Sequence, residues 1–259
     1  MKITIITPSF NQGHFIGKTI DSILGQQFDG ELEYLVIDGG STDNTLEVLR
    51  SYGDRIKWIS EKDNGLADAV NKGLRMATGE IIGWLNSDDL YRPGTLQRVA
   101  RHFAENPDSM WLYGKCRIID ENGSEIYKGV TRYKNLLLHN FSLNRLMTEN
   151  YISQPAVFFR KKLVDETGEL RTDLRFAMDY DMWLRFGKRY PAAVIREYLS
   201  DFRRHPGSLS ENFTGKQFDE QYAVAKANGA NARQLSIHKF NIRKIVWGYK
   251  VLSAFHRGR

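Results

Sequence analysis

Cysteine and long apolar runs are scarce in this 259-residue sequence. Cys116 is the only cysteine, so no intramolecular disulfide can form and we expect folding in a reducing compartment, the cytoplasm. No apolar run reaches the ~18 residues that a membrane-spanning helix needs. The first eight residues contain too few apolar side chains for a signal peptide, so we predict no secretion signal.

Several nucleotide-binding and catalytic motifs are also absent. The first apolar segment is not followed by Gly-x-Gly-x-x-Gly, which argues against a dinucleotide-binding Rossmann domain. The sequence contains no Gly-x-x-x-x-Gly-Lys-Ser/Thr of a P-loop and no Gly-x-Ser-x-Gly of an α/β hydrolase. One cysteine without clustered histidines argues against a zinc site.

Acidic residues are missing from the end of the chain. None of the 31 acids follows Glu220, whereas eight of the 37 lysines and arginines do, so the first 220 residues carry a net charge of −2. The overall charge of +6 therefore comes from the last segment. A nucleic-acid-binding protein would spread basic residues over its body among recognisable motifs, so we predict no nucleic-acid partner.

Residues 231–259 predict a basic amphipathic helix. Ten large apolar residues between 237 and 255 alternate with lysine and arginine. Such a helix can lie on an anionic membrane, which would place the protein at the inner face of the cell membrane. The alternative is a helix that packs on the core or on a second copy in a homo-oligomer.

The first 110 residues alternate between strand and helix patterns. Apolar runs predict strands at 2–8, 33–38, 56–60 and 81–85, and helical periodicity follows each of them. Such alternation predicts an α/β fold with a mostly parallel sheet covered on both faces. Right-handed crossovers would bring the strand ends at Pro8-Ser9, Asp38-Gly39 and Ser87-Asp88 to one cleft.

Two adjacent acids, Asp88 and Asp89, end the fourth strand. Neighbouring carboxylates repel each other unless a cation lies between them, and hard divalent ions prefer carboxylate oxygen. We therefore expect Mg²⁺ or Mn²⁺ at this strand end. The alternative is a turn that caps the helix beginning at Pro93.

The second half is less regular. The patterns predict a strand at 110–119, a hairpin turn at 120–123 leading into a strand at 125–128, and a helix at 135–150. A short strand at 155–159, a helix at 178–189 and a strand at 192–202 follow. We expect residues 1–230 to form one domain with two halves, at 1–110 and at 111–230.

A series of short motifs occurs in fixed order along the chain. The motifs are Thr7-Pro8-Ser9-Phe10-Asn11, Asp38-Gly39-Gly40-Ser41-Thr42-Asp43, Glu61-Lys62-Asp63-Asn64-Gly65, Asn71-Lys72-Gly73 and Asn86-Ser87-Asp88-Asp89, followed by segments 154–160, 178–185 and 203–208. Over residues 1–210 this series resembles family 2 glycosyltransferases of the GT-A fold. The resemblance implies a nucleotide-binding half at 1–110 and an acceptor half at 111–230. It implies transfer of a sugar, with inversion, from a nucleotide-diphosphate donor of UDP, GDP or dTDP type.

The resemblance also implies roles at the nucleotide and metal sites. Asp88 matches the last acid of the family's Asp-x-Asp motif, a metal ligand, and His205 resembles a second metal or diphosphate ligand. Asn86 replaces the first acid and can still bond a ribose, while Asp89 is expected to cap a helix or to support Asp88. The expected nucleotide contacts are Thr7, Pro8, Ser9, Asp38, Asp63, Asn71, Asn86 and Ser87. For Asp38, the alternative is an Asx turn into Gly39-Gly40.

Asp179 matches the family's catalytic base, the acid of a Glu-Asp pair at a helix start. Met178 replaces the glutamate, and Asp181 is the second candidate for the base. The alternative for both acids is favourable charge at a helix N-terminus.

The expected acceptor is a saccharide or a lipid-linked saccharide in cell-surface polysaccharide synthesis. The departures at Asn86 and Met178 leave open a non-catalytic nucleotide-sugar or glycan-binding module. A nucleotidyltransferase with a similar sheet is a third hypothesis.

Overall fold

The computed structural model describes residues 1–138, 140–208 and 215–256, with residues 247–256 described by their backbone only. Eight of its strands form one sheet. They are β1 (Lys2–Ser9), β2 (Glu31–Asp38), β3 (Lys57–Ser60), β4 (Ile81–Trp84), β5 (Leu90–Tyr91), β6 (Trp111–Ile119), β7 (Val157–Arg160) and β8 (Ala193–Arg203).

The sheet has the order β3-β2-β1-β4-β7-β6-β8-β5. Strands β3, β2, β1 and β4 are mutually parallel, and β6 is parallel to β8. Only β7 and β5 run against their neighbours. The predicted mostly parallel sheet is confirmed. Strands before residue 110 and strands after it belong to this one sheet.

Helices cover both faces of the sheet. They are α1 (Ile16–Leu24), α2 (Thr45–Ser51), α3 (Leu66–Met76), α4 (Thr95–Glu105), α5 (Lys128–Leu137), α6 (Leu143–Leu146), α7 (Lys161–Thr167), α8 (Met178–Arg189), α9 (Gly215–Ala227) and α10 (Ala232–His256). Side chains alternate along β1, so that Ile5 packs in the cluster with α1 and α4, whereas Ile6 packs in the cluster with α3 and α8. The predicted helix at 178–189 is confirmed.

The single helix predicted at 135–150 is wrong, because two helices, α5 and α6, occupy this region. The Ser142 hydroxyl accepts the amide of Arg145 (3.3 Å) and so begins α6 anew. The Arg145 guanidinium donates to the carbonyl of Leu137 (2.8 Å), which satisfies the end of α5. Capping interactions of this kind break a helix that the apolar periodicity alone would continue.

Two shorter predictions also fail. The predicted strand at 125–128 is reduced to one bridge between Ile119 and Glu125, and α5 begins at Lys128. Asp88 and Asp89 do not cap the helix after Pro93, because β5 lies between them and α4. Strand β5 directly follows the two acids and pairs with β8, so the acids precede a strand at the edge of the sheet.

The first turns of α10 pack on the body of the protein. His238 is buried, its Nδ1 lies 3.2 Å from the carbonyl of Met147, and its ring lies between Tyr180 and Tyr222. Ile237 and Phe240 remain exposed on the opposite side of the helix. The predicted apolar surface beyond residue 246 lies outside the described side chains. Within the part of the chain that the structure describes, no helix is long and apolar enough to cross a membrane.

Candidate active site

The carboxyl ends of β1, β2 and β4 meet at one edge of the sheet. Ser9 lies opposite Asp38 in the β1–β2 register, and its carbonyl accepts the amide of Gly39 (2.8 Å). The amide of Asn11 donates to the Ser41 hydroxyl (2.7 Å), which joins the loops after β1 and β2. The convergence of strand ends predicted from the right-handed crossovers is confirmed. In open α/β sheets this edge is where ligands bind.

Asp38 is fully buried at this edge. Its Oδ2 accepts the amides of Gly40 (3.1 Å) and Ser41 (2.9 Å) and the Ser60 hydroxyl (2.6 Å), and its Oδ1 accepts the Ser41 hydroxyl (2.5 Å). Both oxygens are thus occupied within the protein. This geometry matches the Asx turn that the sequence left open, and the carboxylate shapes the loop after β2. Its role in nucleotide binding stays a prediction.

The residues at the end of β1 have different surroundings. Thr7 is buried, and its hydroxyl accepts that of Tyr34 (3.2 Å) inside the sheet, so its side chain is committed to the core. Pro8 is buried opposite Ile37. Ser9 is 4% exposed, and no described group bonds its hydroxyl. A buried hydroxyl without a partner is costly, so the Ser9 hydroxyl has unused hydrogen-bonding capacity at the end of β1.

Two weaker candidates lie after β3. Asp63 is half-buried beside the backbone of Gly39, and its Oδ1 accepts the amide of Gly65 (2.8 Å). Asn71 is buried on α3, where its carboxamide exchanges two hydrogen bonds with the backbone of Leu170 (2.9 and 3.0 Å). Asn71 therefore holds the loop at Leu170. The nucleotide contacts expected of Asn71 and Asp63 stay predictions.

Asn86 and Ser87 follow β4. The Asn86 carboxamide accepts the indole N–H of Trp84 (2.8 Å) and lies 3.4 Å from the side-chain oxygen of Gln154. Ser87 is buried, and its carbonyl accepts the Thr19 hydroxyl (2.8 Å). These bonds hold the loop after β4 against α1 and against the turn before β7.

Asp88 meets His205 at this edge. The Asp88 Oδ2 lies 3.0 Å from the His205 Nε2, and the two side chains are 14% and 7% exposed. The ring of Phe15 lies against His205 with centroids 4.5 Å apart. The structure thus brings together Asp88 and His205, the two residues for which the resemblance implied a role at the metal site.

Arg203 fixes this pair in place. Its Nε donates to the Asp88 carbonyl (2.8 Å), and its backbone amide donates to the Asp89 Oδ1 (2.9 Å). Its Nη1 donates to the carbonyls of Asp120 and Glu121 (2.9 Å each). Asp89 is fully buried, and burial together with the charge of Asp88 raises its pKa well above the usual value. Asp89 therefore supports the loop and caps no helix.

The donor set of Asp88 and His205 suits a divalent ion. Carboxylate oxygen and imidazole nitrogen are both ligands of Mn²⁺, and Mg²⁺ is held by one or two carboxylates with substrate phosphates completing its shell. Within the described residues, no group of three or more His, Cys, Asp or Glu side chains surrounds one position. A metal here would need ligand oxygens in addition to these two residues.

Asp179 begins α8 in a low-dielectric setting. It is half-buried, and its Oδ1 accepts the amide of Tyr180 (2.7 Å). Burial raises the pKa of Asp179 to about 6, although the Tyr180 amide and the charge of Lys134 act in the opposite direction. A carboxylate with a pKa near neutrality is suited to accept a proton.

Asp181, the second candidate for the base, is occupied by other groups. Its Oδ2 accepts Nε of Arg185 (2.8 Å), and its Oδ1 accepts the amide of Asn228 (2.9 Å). The carboxylate is buried and joins α8 to α9. Met178 is buried in the core cluster. Of the two acids in the first turn of α8, Asp179 is therefore the one whose geometry is compatible with general-base catalysis.

Sequence reasoning missed several residues of this site. Arg203 and Gln154 lie inside the quoted motifs but had been given no role, because their partners are backbone and side-chain atoms distant in sequence. The Thr19 hydroxyl lies 2.8 Å from the carbonyl oxygens of both Ser87 and Asp89, and Thr19 belongs to none of the quoted motifs. Phe10 is 59% exposed at the end of β1, and an exposed aromatic at a strand end was a usable signal.

Comparisons with known proteins agree with this geometry. A family model described as Glycosyl transferase family 2 matches residues 4–168. A PGL/p-HBAD biosynthesis glycosyltransferase of Mycobacterium bovis is 30% identical over 226 residues, which cover 83% of this chain and 81% of the relative. An uncharacterized glycosyltransferase of Rickettsia felis is 28% identical over 208 residues, 78% of this chain, and these span only 34% of that relative's length.

Solved structures share the fold. Staphylococcus aureus TarS 1–349 in complex with UDP-GlcNAc superposes with a TM-score of 0.71 at 20% identity, over 92% of this chain and 70% of that one. The mannosyltransferase PcManGT from Pyrobaculum calidifontis, in complex with GDP-Man and Mn²⁺, gives a TM-score of 0.72 at 21% identity, over 91% and 68%. The fold is GT-A, and the chain belongs to glycosyl transferase family 2.

Proposed function

We propose that this protein is an inverting, metal-dependent glycosyltransferase that moves a sugar from a nucleotide-diphosphate donor to a hydroxyl of a saccharide or lipid-linked acceptor. The contact of Asp88 with His205 at the edge formed by β1, β2 and β4 carries the proposal. It would supply oxygen and nitrogen ligands at the strand-end edge where open α/β sheets bind their ligands. A bound Mg²⁺ or Mn²⁺ would offset the negative charge of the diphosphate.

The nucleotide would lie against the loops after β1 and β2. The unpartnered hydroxyl of Ser9 and the half-buried carboxylate of Asp63 are polar groups for the base or ribose, while Asp38 shapes the loop between them. The exposed ring of Phe10 provides a flat surface on which a base can stack. TarS with UDP-GlcNAc and PcManGT with GDP-Man support a nucleotide-sugar donor.

Asp179 would act as the general base. The acceptor hydroxyl loses its proton to the Asp179 carboxylate while its oxygen forms a bond to the anomeric carbon. The bond from that carbon to the diphosphate oxygen breaks, and the electron pair leaves with the nucleoside diphosphate. A single displacement of this kind inverts the anomeric configuration, and a base with a pKa of about 6 remains ionised near neutral pH.

The acceptor would belong to the synthesis of a cell-surface glycan or glycolipid. The Mycobacterium bovis relative is named for PGL/p-HBAD biosynthesis, which is consistent with a lipid-linked acceptor. The outer face of α10 exposes Ile237 and Phe240 close to Arg233 and Arg243, and no acid follows Glu220. We infer that this face contacts an anionic membrane that carries the acceptor.

Product analysis tests the proposal. The protein is incubated with UDP-, GDP- and dTDP-sugars, saccharide acceptors and Mn²⁺, and ¹H NMR follows the released nucleotide and the anomeric coupling constant of the glycoside. We expect a nucleoside diphosphate and an inverted linkage. Pyrophosphate release would instead indicate a nucleotidyltransferase, and an intact donor that binds with metal would indicate a non-catalytic nucleotide-sugar-binding module.

A further inference from the structure

Glu220 of α9 caps the helix that carries Asp179. Its Oε1 accepts the amide of Arg175 (2.9 Å), and its Oε2 accepts the amides of Phe176 (2.5 Å) and Ala177 (2.6 Å). These three residues immediately precede α8. The N-terminal amides of a helix normally bond a side chain close in sequence, yet Ala177 has no group for this purpose. A carboxylate more than 40 positions later in the chain instead bonds the amide of the N-cap residue Ala177 and the two amides before it.

This cap controls the position of Asp179. Three hydrogen bonds to a charged acceptor fix the backbone that enters α8, and Asp179 is the second residue of that helix. The residue before Asp179, Met178, is buried, apolar and uncharged. The neighbouring carboxylate is instead that of Glu220, on another helix. The Glu220 carboxylate thus holds the backbone from which Asp179 projects, while the amide of Tyr180 bonds the Asp179 Oδ1 itself.

The same carboxylate changes the electrostatic field at Asp179. The positive N-terminal end of a helix favours an ionised acid. Burial raises the pKa of Asp179, the amide of Tyr180 and the charge of Lys134 on α5 lower it, and the charge of Glu220 on α9 raises it. Arg171, which also interacts with Glu220, lies in the loop before α8 and balances part of that charge.

We propose that Glu220 is a positioning residue for sugar transfer, which holds in place the backbone at the start of α8 from which Asp179 projects. This inference rests on the proposed role of Asp179 as the base. It assigns a function in the reaction to α9, a helix beyond the 4–168 segment that the family model matches.

Two variants separate the effect of the Glu220 charge from the effect of its side-chain length. Glu220→Gln removes the charge at nearly constant size, and Glu220→Asp keeps the charge on a shorter side chain. Asp219→Asn removes one charge from the exposed side of α9 and serves as the matched control. The readout is the pH profile of kcat/KM for transfer, with circular dichroism to verify folding.

We expect Glu220→Gln to lower kcat, because a neutral amide binds the three backbone N–H groups less well than a carboxylate does. The acidic limb of its pH profile should move to lower pH by at most about 0.5 unit, since the charge of Glu220 is the smallest of the influences on the Asp179 pKa. In Glu220→Asp, the acidic limb of the pH profile should stay at the wild-type position and kcat should fall. Asp219→Asn should match the wild-type protein in both properties. A Glu220→Gln limb at the wild-type position, with unchanged kcat, would overturn the inference. Transfer retained in Asp179→Asn would instead refute the base itself, so the two failures are distinguishable.

Hydrogen exchange on the wild-type protein gives a test that does not depend on the folding of a variant. The amides of Arg175, Phe176 and Ala177 should exchange at least about tenfold more slowly than those of Thr172 and Asp173 in the preceding loop. Protection should fall when Glu220 is protonated at acidic pH. Unprotected amides at neutral pH would overturn the capping role.

Discussion

The carboxylate of Asp88 lies 3.0 Å from the imidazole of His205, although 117 positions separate the two residues in the chain. Arg203 holds both sides of this contact, because its guanidinium bonds the Asp88 carbonyl and its own strand, β8, leads directly to His205. The sheet therefore holds Asp88 and His205 together. Metal binding by this pair can be measured without sugar transfer.

Removing either member of the pair should weaken metal binding. We expect Asp88→Ala and His205→Ala each to reduce Mn²⁺ affinity at least about tenfold in the presence of UDP or GDP, because each removes one of two protein ligands. Electron paramagnetic resonance of free Mn²⁺ measures this without turnover. His102→Ala on α4 is the control, and equal Mn²⁺ affinity in all three variants would contradict the metal site.

Asp179→Asn should abolish base catalysis. We expect kcat to fall about 100- to 10,000-fold with little change in the KM of the donor, because asparagine cannot take the acceptor proton. In the wild-type protein, kcat/KM should fall tenfold per pH unit below the Asp179 pKa of about 6, since the base must be ionised. Turnover of the asparagine variant at the wild-type rate would show that another group accepts the proton.

The same substitution should stabilise the fold. The pKa of Asp179 is raised from 3.8 to about 6, so its ionised form opposes folding, and this cost grows from pH 4 to 6 and then stays constant. Asp179→Asn should therefore gain about 1–3 kcal/mol in the free energy of unfolding at pH 8, with the gain vanishing near pH 4. Urea denaturation at both pH values checks this. A gain of equal size at pH 4 and pH 8 would show that ionisation is not its cause.

Phe10 should contribute to donor affinity. Removal of its ring in Phe10→Ala should raise the KM of the nucleotide sugar about fivefold or more and leave kcat nearly unchanged, as expected for lost stacking with a base. Phe240→Ala, which removes an exposed phenylalanine from α10, is the matched control in a lipid-free assay. An unchanged donor KM in Phe10→Ala would place the base elsewhere.

The outer face of α10 should determine membrane binding. The double variant Ile237→Ser/Phe240→Ser should lose co-sedimentation with phosphatidylglycerol vesicles, because it removes the apolar contact while basic residues remain. Leu136→Ser on α5, which alters an equally exposed leucine, should bind like the wild type. If the double variant instead converts a dimer into a monomer by light scattering, the face pairs two copies of this chain.

The sequence determined the alternation of strands and helices in the first half and the position of carboxylates at strand ends. These features depend on local periodicity and on the parallel topology that it requires, so β1, β2 and β4 and their shared edge were predictable. Asp88 and Asp179 could be selected because ordered motifs carry them.

Only the tertiary structure decided how these groups are used. Asp38 turns its carboxylate into its own loop, Asn71 bonds the backbone of Leu170, and Glu220 caps α8 from a distant helix. The separation of α5 from α6 likewise depends on Ser142 and Arg145. Most of these hydrogen bonds join segments far apart in the chain, and whether a polar side chain faces a ligand or the protein depends on the neighbours that folding brings to it.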